Sequence, residues 1–132
     1  MSVVWRCSSA SLNAKFLEDV ADLLGDSPYS WYVVSGYRSI PEQIALYKKY
    51  QAGGPRAAPP GKSAHNFGLA IDVVLDADSA KPGLQPSWDT KLPGWLWLKA
   101  KCAAHPRLKS GWSFNDWPHI EAVNWRGRRY PK

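Results

Sequence analysis

The segment Ser63-Ala-His65-Asn-Phe-Gly68-Leu-Ala70-Ile-Asp72 decides the reading of this chain, because it sets a histidine and a carboxylate on either side of a glycine turn. Beyond the glycine, Leu69, Ile71 and Val73 alternate with Ala70, Asp72 and Val74. That is the period of a strand, with β-branched residues on one face and Asp72 on the other. An ionised carboxylate in so apolar a strand needs a partner, since removing it from water unpaired costs several kcal/mol. A cation held jointly with His65 meets that need, and the segment reads as half of a metal site.

The second half is expected in Phe114-Asn-Asp116-Trp-Pro-His119-Ile-Glu121, with His119 as the third ligand. Two imidazoles, one carboxylate and an open fourth position are the usual arrangement of a catalytic zinc, on which water loses a proton near neutral pH. The remaining histidine, His105, lies in Cys-Ala-Ala-His-Pro at a predicted helix end. There it has an ordinary capping role, and it is left out of the ligand set.

With these residues in place the chain resembles the zinc D-alanyl-D-alanine carboxypeptidases and L-alanyl-D-glutamate endopeptidases, the LAS superfamily that includes peptidoglycan-cutting phage endolysins. The signature Ser-x-His-x-x-Gly-x-Ala-x-Asp is met at every fixed position by Ser63, His65, Gly68, Ala70 and Asp72. Asp116 precedes His119 by three residues, and Arg38 in Ser35-Gly-Tyr-Arg38-Ser matches the arginine ahead of the signature. The resemblance covers about residues 12 to 123. It implies an α+β fold, a small antiparallel sheet flanked by about three helices with one zinc ion on the sheet. It also implies roles: Asp116 as the catalytic base, and Arg38 as a binder of the substrate carbonyl or carboxylate that stabilises the developing oxyanion. Because the base is Glu in the dipeptidases and carboxypeptidases but Asp in a group of phage endolysins, the resemblance favours an L-alanyl-D-glutamate endopeptidase acting in host lysis. The alternatives are a D-alanyl-D-alanine carboxypeptidase and a non-catalytic zinc-containing binding module of the hedgehog kind.

Glu121 competes with Asp116 for the role of base, since it alternates onto the strand face of His119. The preferred reading gives Glu121 the task of orienting a ligand imidazole, because zinc-bound histidines commonly donate their second N–H to such a group. Ser63, Gln43 and Trp117 are further candidates for contact with substrate, Trp117 because it sits between the expected base and ligand; Tyr47 shares the helix of Gln43.

Length and composition suit one catalytic domain spanning residues 1–132, without a separate wall-binding unit. Eight tryptophans supply core as well as candidate ligand-binding faces. Much of the excess of 17 basic over 11 acidic residues lies at Arg126, Arg128, Arg129 and Lys132, which is either a solvated tail or a surface for an anionic polymer. Under the resemblance that polymer is the anionic cell wall, with peptidoglycan stem peptides as substrate and a monomer as the working form. No RNA-binding signature or zinc-finger spacing points to nucleic acid. Cys7 and Cys102 are expected as free thiols. The start Met-Ser-Val-Val-Trp-Arg-Cys lacks the pattern of a secretory signal, and no stretch is long and apolar enough to span a membrane. The expectation is therefore synthesis in the bacterial cytoplasm, with access to the wall after release.

Leu12, Phe16, Val20, Leu23 and Leu24 predict a packing helix from Ser11 to Gly25, and Trp31 to Tyr37 a strand ending at Arg38. A second helix begins with the capping box Ser39-x-x-Glu42 and stops near Gly53-Gly54. Gly53 to Lys62 is either a flap over substrate or a plain connector. Asp76 to Lys91 reads as a long loop whose acids lack a calcium-loop spacing. Pro93 opens a third helix through Trp95, Leu98 and Cys102, and Trp112 to Phe114 and His119 to Val123 are expected as closing strands.

Overall fold

The computed structural model describes residues 3–78, 80–83, 85–127 and 130. Three helices, α1 (Ala14–Gly25), α2 (Ile40–Gln51) and α3 (Pro93–Ala104), accompany strands β1 (Val3–Trp5), β2 (Ser30–Ser35), β3 (Ala70–Asp76), β4 (Pro86–Ser87), β5 (Leu108–Gly111) and β6 (Asp116–Ala122). The class is α+β, as the sequence predicts. The sheet runs in the order β1-β2-β3-β6-β5, and β4 adds to β3 beyond the reach of β6.

The expectation of an antiparallel sheet needs correcting at one edge. β1 pairs parallel to β2, because α1 carries the chain back across the sheet between them, whereas every other pairing is antiparallel. Another correction concerns Trp112–Phe114, which forms a 3-10 turn; the expected strand is the preceding Leu108–Gly111. Within the predicted loop 76–91, Ala77 N–H donates to the Gln85 carbonyl at 2.8 Å and introduces the short β4 pairing.

Side-chain parity divides the sheet into two faces. Trp31 and Val33 of β2 lie opposite Leu75 and Val73 of β3, and Ile71 lies opposite Ile120 of β6. These residues are buried, and they share one cluster with Phe16, Val20, Leu23 and Leu24 of α1 and with Trp95, Leu98 and Cys102 of α3. Trp31 and Trp95 meet edge to face at 5.3 Å between ring centroids and anchor α3 to the sheet. Helix α1 begins at Asn13, whose side chain accepts from Phe16 N–H, and α2 has the full Ser39–Glu42 capping box. Cys7 and Cys102 are free thiols, and burial pushes Cys102 up to about 12. No helix of the described residues is long and apolar enough to cross a membrane. Of the basic end, Arg126 is exposed, while Arg128, Arg129 and Lys132 lie outside the described residues.

A second polar anchor holds α1 to the chain after α3. The buried Asp19 carboxylate accepts from Arg107 Nε at 2.7 Å and Nη2 at 3.0 Å, a bidentate pair, and from the Tyr130 hydroxyl. The Arg107 hydrogen bonds outweigh burial and hold the Asp19 carboxyl at about 2, below its ordinary 3.8. A carboxyl depressed in the folded state contributes stability above its unfolded value and loses it as pH falls toward the folded one. Asp19→Asn is therefore expected to lower the urea midpoint at pH 7. Its deficit against the parent should shrink between about pH 4 and pH 2, and a pH-independent deficit in the same titration would show that the charge is not what matters.

Candidate metal centre

The face of the sheet away from the core carries the polar residues. Asp72 of β3 lies directly opposite His119 of β6, and Glu121 lies between Ala70 of β3 and Lys109 of β5. Since alternate residues share a face, register alone sets Asp72, His119, Glu121 and Lys109 together. His65 reaches the same place from the 3-10 turn Ala64–Phe67 just before β3. Ser63 caps that turn, its Oγ accepting from His65 N–H at 3.3 Å, and Gly68 closes it at φ 69°. A Cβ on Gly68 would stand 2.5 Å from the Ser11 carbonyl oxygen, so glycine is required both for the left-handed turn and for the close approach of α1's entry.

Ligand atoms of His65, Asp72 and His119 lie within 4.8 Å of one another. His65 Nε2 is 3.4 Å from Asp72 Oδ2, and His119 Nδ1 is 3.3 Å from Asp72 Oδ1. The opposite nitrogen of each ring is already engaged. His65 Nδ1 donates to the Gly36 carbonyl at 2.7 Å, and His119 Nε2 donates to Glu121 Oε1 at 2.7 Å. A carbonyl can only accept, so Nδ1 carries a proton and Nε2 is the His65 nitrogen that faces the cluster and could ligate a metal. Two imidazole nitrogens and a carboxylate oxygen, each ring oriented from behind, are a donor set that suits zinc. In the metal-free protein, burial would push the His119 imidazole down, but its hydrogen bonds to Asp72 and Glu121 prevail and hold it at about 9.

Asp116 comes to this cluster through an irregularity. One step along β5, from Ser110 to Gly111, corresponds on β6 to the jump from Ile120 to Asp116. Asn115 precedes it with φ 59°, a left-handed conformation that asparagine tolerates better than most residues. The bulge brings Asp116 Oδ2 to 3.9 Å from His119 Nδ1, with the side chain half exposed. Burial, aided by the Asp72 charge, raises the Asp116 carboxyl above its ordinary value. Gly111 makes this possible, for a Cβ there would fall 2.1 Å from the Asp116 carbonyl oxygen.

Arg38 approaches from the β2 side, where a bulge between Val33 and Ser35 turns Ser35 toward the site. Its Nη2 donates to Asp72 Oδ2 at 3.3 Å and Ser35 Oγ at 3.2 Å, and its Nη1 to Gln43 Oε1 at 3.4 Å.

Two expected contacts take other positions. Gln43 does line the cleft, but it is completely buried and its amide is committed to the Ala58 carbonyl at 2.8 Å, to Arg38 and to Asn66, so it supports Arg38 and the 53–62 loop. Tyr47 packs against Tyr50. Trp117 turns toward the edge of the core beside Trp112 and is absent from the cleft wall. Ser63 does line the cleft. His105 caps α3 and its Nδ1 accepts from Arg107 N–H at 3.0 Å, apart from the ligand cluster.

The cluster opens into a cleft of about 850 Å³ whose walls include Leu46, Arg56, Lys62, Lys109, Phe114 and Trp125. The sequence reading named none of these six as site residues, though Arg56 and Lys62 fall within the 53–62 segment read as a flap or a connector. They lie far apart in the chain, and nothing local marks them; only the pairing of β5 with β6, which puts Lys109 beside Glu121, would have pointed to one of them.

A sequence model of the family described as D-alanyl-D-alanine carboxypeptidase, VanY, matches residues 10–106, which include Arg38, His65 and Asp72 and stop short of Asp116 and His119. A curated D-alanyl-D-alanine carboxypeptidase of Enterococcus faecium is 38% identical over 80 residues, which are 61% of this chain and 26% of the relative's length. Among solved structures, the Serratia marcescens L-Ala D-Glu endopeptidase ChiX is similar with a TM-score of 0.63 and 17% identity, over 92% of this chain and 87% of its own. The vancomycin-resistance D,D-pentapeptidase VanY, solved in complex with Zn(II), is similar with a TM-score of 0.55 and 19% identity, over 87% of this chain and 74% of its own. Likeness at such identities establishes the shared fold, while the sequence match, over most of the chain, establishes descent: this chain belongs to the D-alanyl-D-alanine carboxypeptidase family.

Proposed function

We propose that the domain is a zinc-dependent peptidoglycan peptidase that hydrolyses the L-alanyl-D-glutamate bond of the stem peptide, in the manner of a phage endolysin. The observation that carries this reading is the convergence of His65 Nε2, Asp72 and His119 Nδ1 with the Asp116 carboxylate 3.9 Å from that last nitrogen. His65, Asp72 and His119 would hold the zinc ion, which would supply the Lewis acidity that polarises water and the scissile carbonyl. Asp116 Oδ2 takes the proton of the attacking water and returns it to the departing amine nitrogen. Arg38, fixed by Ser35 and Gln43, donates to the substrate oxygen on which charge develops. Glu121 engages the far nitrogen of His119 and is thereby occupied as the group that orients the ring.

The choice of bond rests on aspartate, where the carboxypeptidase branch of the resemblance has glutamate, and on a cleft of about 850 Å³, roomy enough for several residues of an extended peptide. A carboxypeptidase releasing terminal D-alanine is the second reading, favoured by the family match and by the Enterococcus faecium relative. The two differ in products. Peptidoglycan incubated with the zinc-loaded protein should acquire new alanine carboxyl and glutamate amino ends, absent when a chelator is present and restored with zinc. Release of free D-alanine instead would establish the carboxypeptidase.

Asp116→Ala is expected to keep its zinc and its fold while losing about 10²-fold or more in turnover; full activity would transfer the role of base elsewhere. Glu121→Gln should retain the ring contact but weaken zinc binding by about 10- to 100-fold in a competition titration with a chelator. An unchanged zinc affinity would remove Glu121 from the support of the site. His65→Ala and His119→Ala should each purify without stoichiometric zinc, and a full complement of metal would strike that residue from the ligand set.

A further inference from the structure

Among the described residues, six basic ones line the cleft, Arg38, Lys49, Arg56, Lys62, Lys109 and Arg126, against three carboxylates, Asp72, Asp116 and Glu121. The carboxylates turn inward: Asp72 toward both histidines and Arg38, Asp116 toward His119, Glu121 toward His119 Nε2. Among the described residues only Arg38 of the six bases forms an ion pair. The rim is therefore cationic and uncompensated.

Two of these cations are held in place by rings. Lys109 lies opposite Glu121 in register, yet Glu121 is engaged by His119, and Lys109 Nζ rests 5.7 Å from the centroid of the Phe114 ring. Arg126 Cζ stands 4.7 Å from the centroid of Trp125. Both rings are themselves part of the cleft wall. An aromatic face restrains a cation without neutralising it, so the charge remains available to an incoming anion at a reduced cost of ordering. The sheet order β2-β3-β6-β5 sets the ligands on β3 and β6 between Arg38, which follows β2, and Lys109 on β5. The cleft thus offers a positive group on each side of the metal ligands.

We infer that Lys109 and Arg126 form a carboxylate subsite, and that this domain selects stem peptides carrying a free α-carboxylate on the glutamate next to the cut bond over those in which it is a carboxamide. The inference rests on the peptidase reading for the identity of the substrate, and on the cleft's charge alone for the preference.

The test uses two synthetic stem peptides that differ only in that group, carboxylate or carboxamide. Binding is measured by isothermal titration on the zinc-loaded Asp116→Asn protein, and turnover on the zinc-loaded parent. The carboxylate peptide should bind about tenfold more tightly, with an advantage that declines as salt is raised. The double variant Lys109→Gln, Arg126→Gln should lose most of that advantage and raise KM with little change in kcat, whereas Lys91→Gln, equal in charge per site but outside the cleft, should not. Equal binding of the two peptides, binding of neither, or a preference that survives the double variant would overturn the subsite. If the preference in binding is present but the parent cuts neither peptide, the subsite stands and the peptidase reading falls. If the parent cuts both peptides equally well, the peptidase reading stands and the subsite falls.

Discussion

The structure depends on the problem of keeping Asp72 ionised within a sheet. Burial on a central strand raises its carboxyl, and hydrogen bonds from His119 and His65 overcome that effect and hold it well below the usual carboxylate range. Arg38 adds a permanent positive charge beside it. Each partner needs a separate device to arrive. His119 comes by strand register, His65 by a turn that only Gly68 permits, and Arg38 by a bulge in β2. A metal ion at this point would exchange those hydrogen bonds for coordination, and Gly36 and Glu121 already orient the two rings toward it.

The two faces of the sheet share this work unequally. One face carries the apolar cluster with α1 and α3, and its close packing makes the strands a rigid platform. The other face carries the ligands, with α2 and the 53–62 loop beside them. Gln43 and Asn66 join these parts: Asn66 Nδ2 donates to the Arg38 carbonyl at 3.0 Å, and its Oδ1 accepts from Gly61 N–H at 3.2 Å. The loop is thereby tied to the same turn that presents His65, which joins the cleft wall and the candidate ligand turn into one hydrogen-bonded unit.

Much of this was legible in the chain because its signals are local. The helical spacing of Phe16, Val20 and Leu23, the Ser39–Glu42 capping box and the alternation around Asp72 each reappear as read. Those elements draw their stability from neighbours a few residues away. What escaped the sequence is non-local. β1 is three residues long and exists only through its parallel pairing with β2. Trp112–Phe114 has the aromatic content of a strand, but Gly111 and the left-handed Asn115 bend the chain there, and pairing with β6 recruits Leu108–Gly111 instead. Trp117 stood next to the site in sequence and turned away in space because the β6 bulge breaks the alternation. The same bulge is what brings Asp116 to the ligands.

The most direct test of the central claim is X-ray absorption on the zinc-loaded protein, which reads the ligand atoms themselves. The account predicts a first shell of nitrogen and oxygen at about 2.0–2.2 Å, with outer-shell scattering from two imidazoles. Sulfur at about 2.3 Å would contradict it, since Cys7 or Cys102 would then hold the ion, and so would a parent spectrum showing fewer than two histidines.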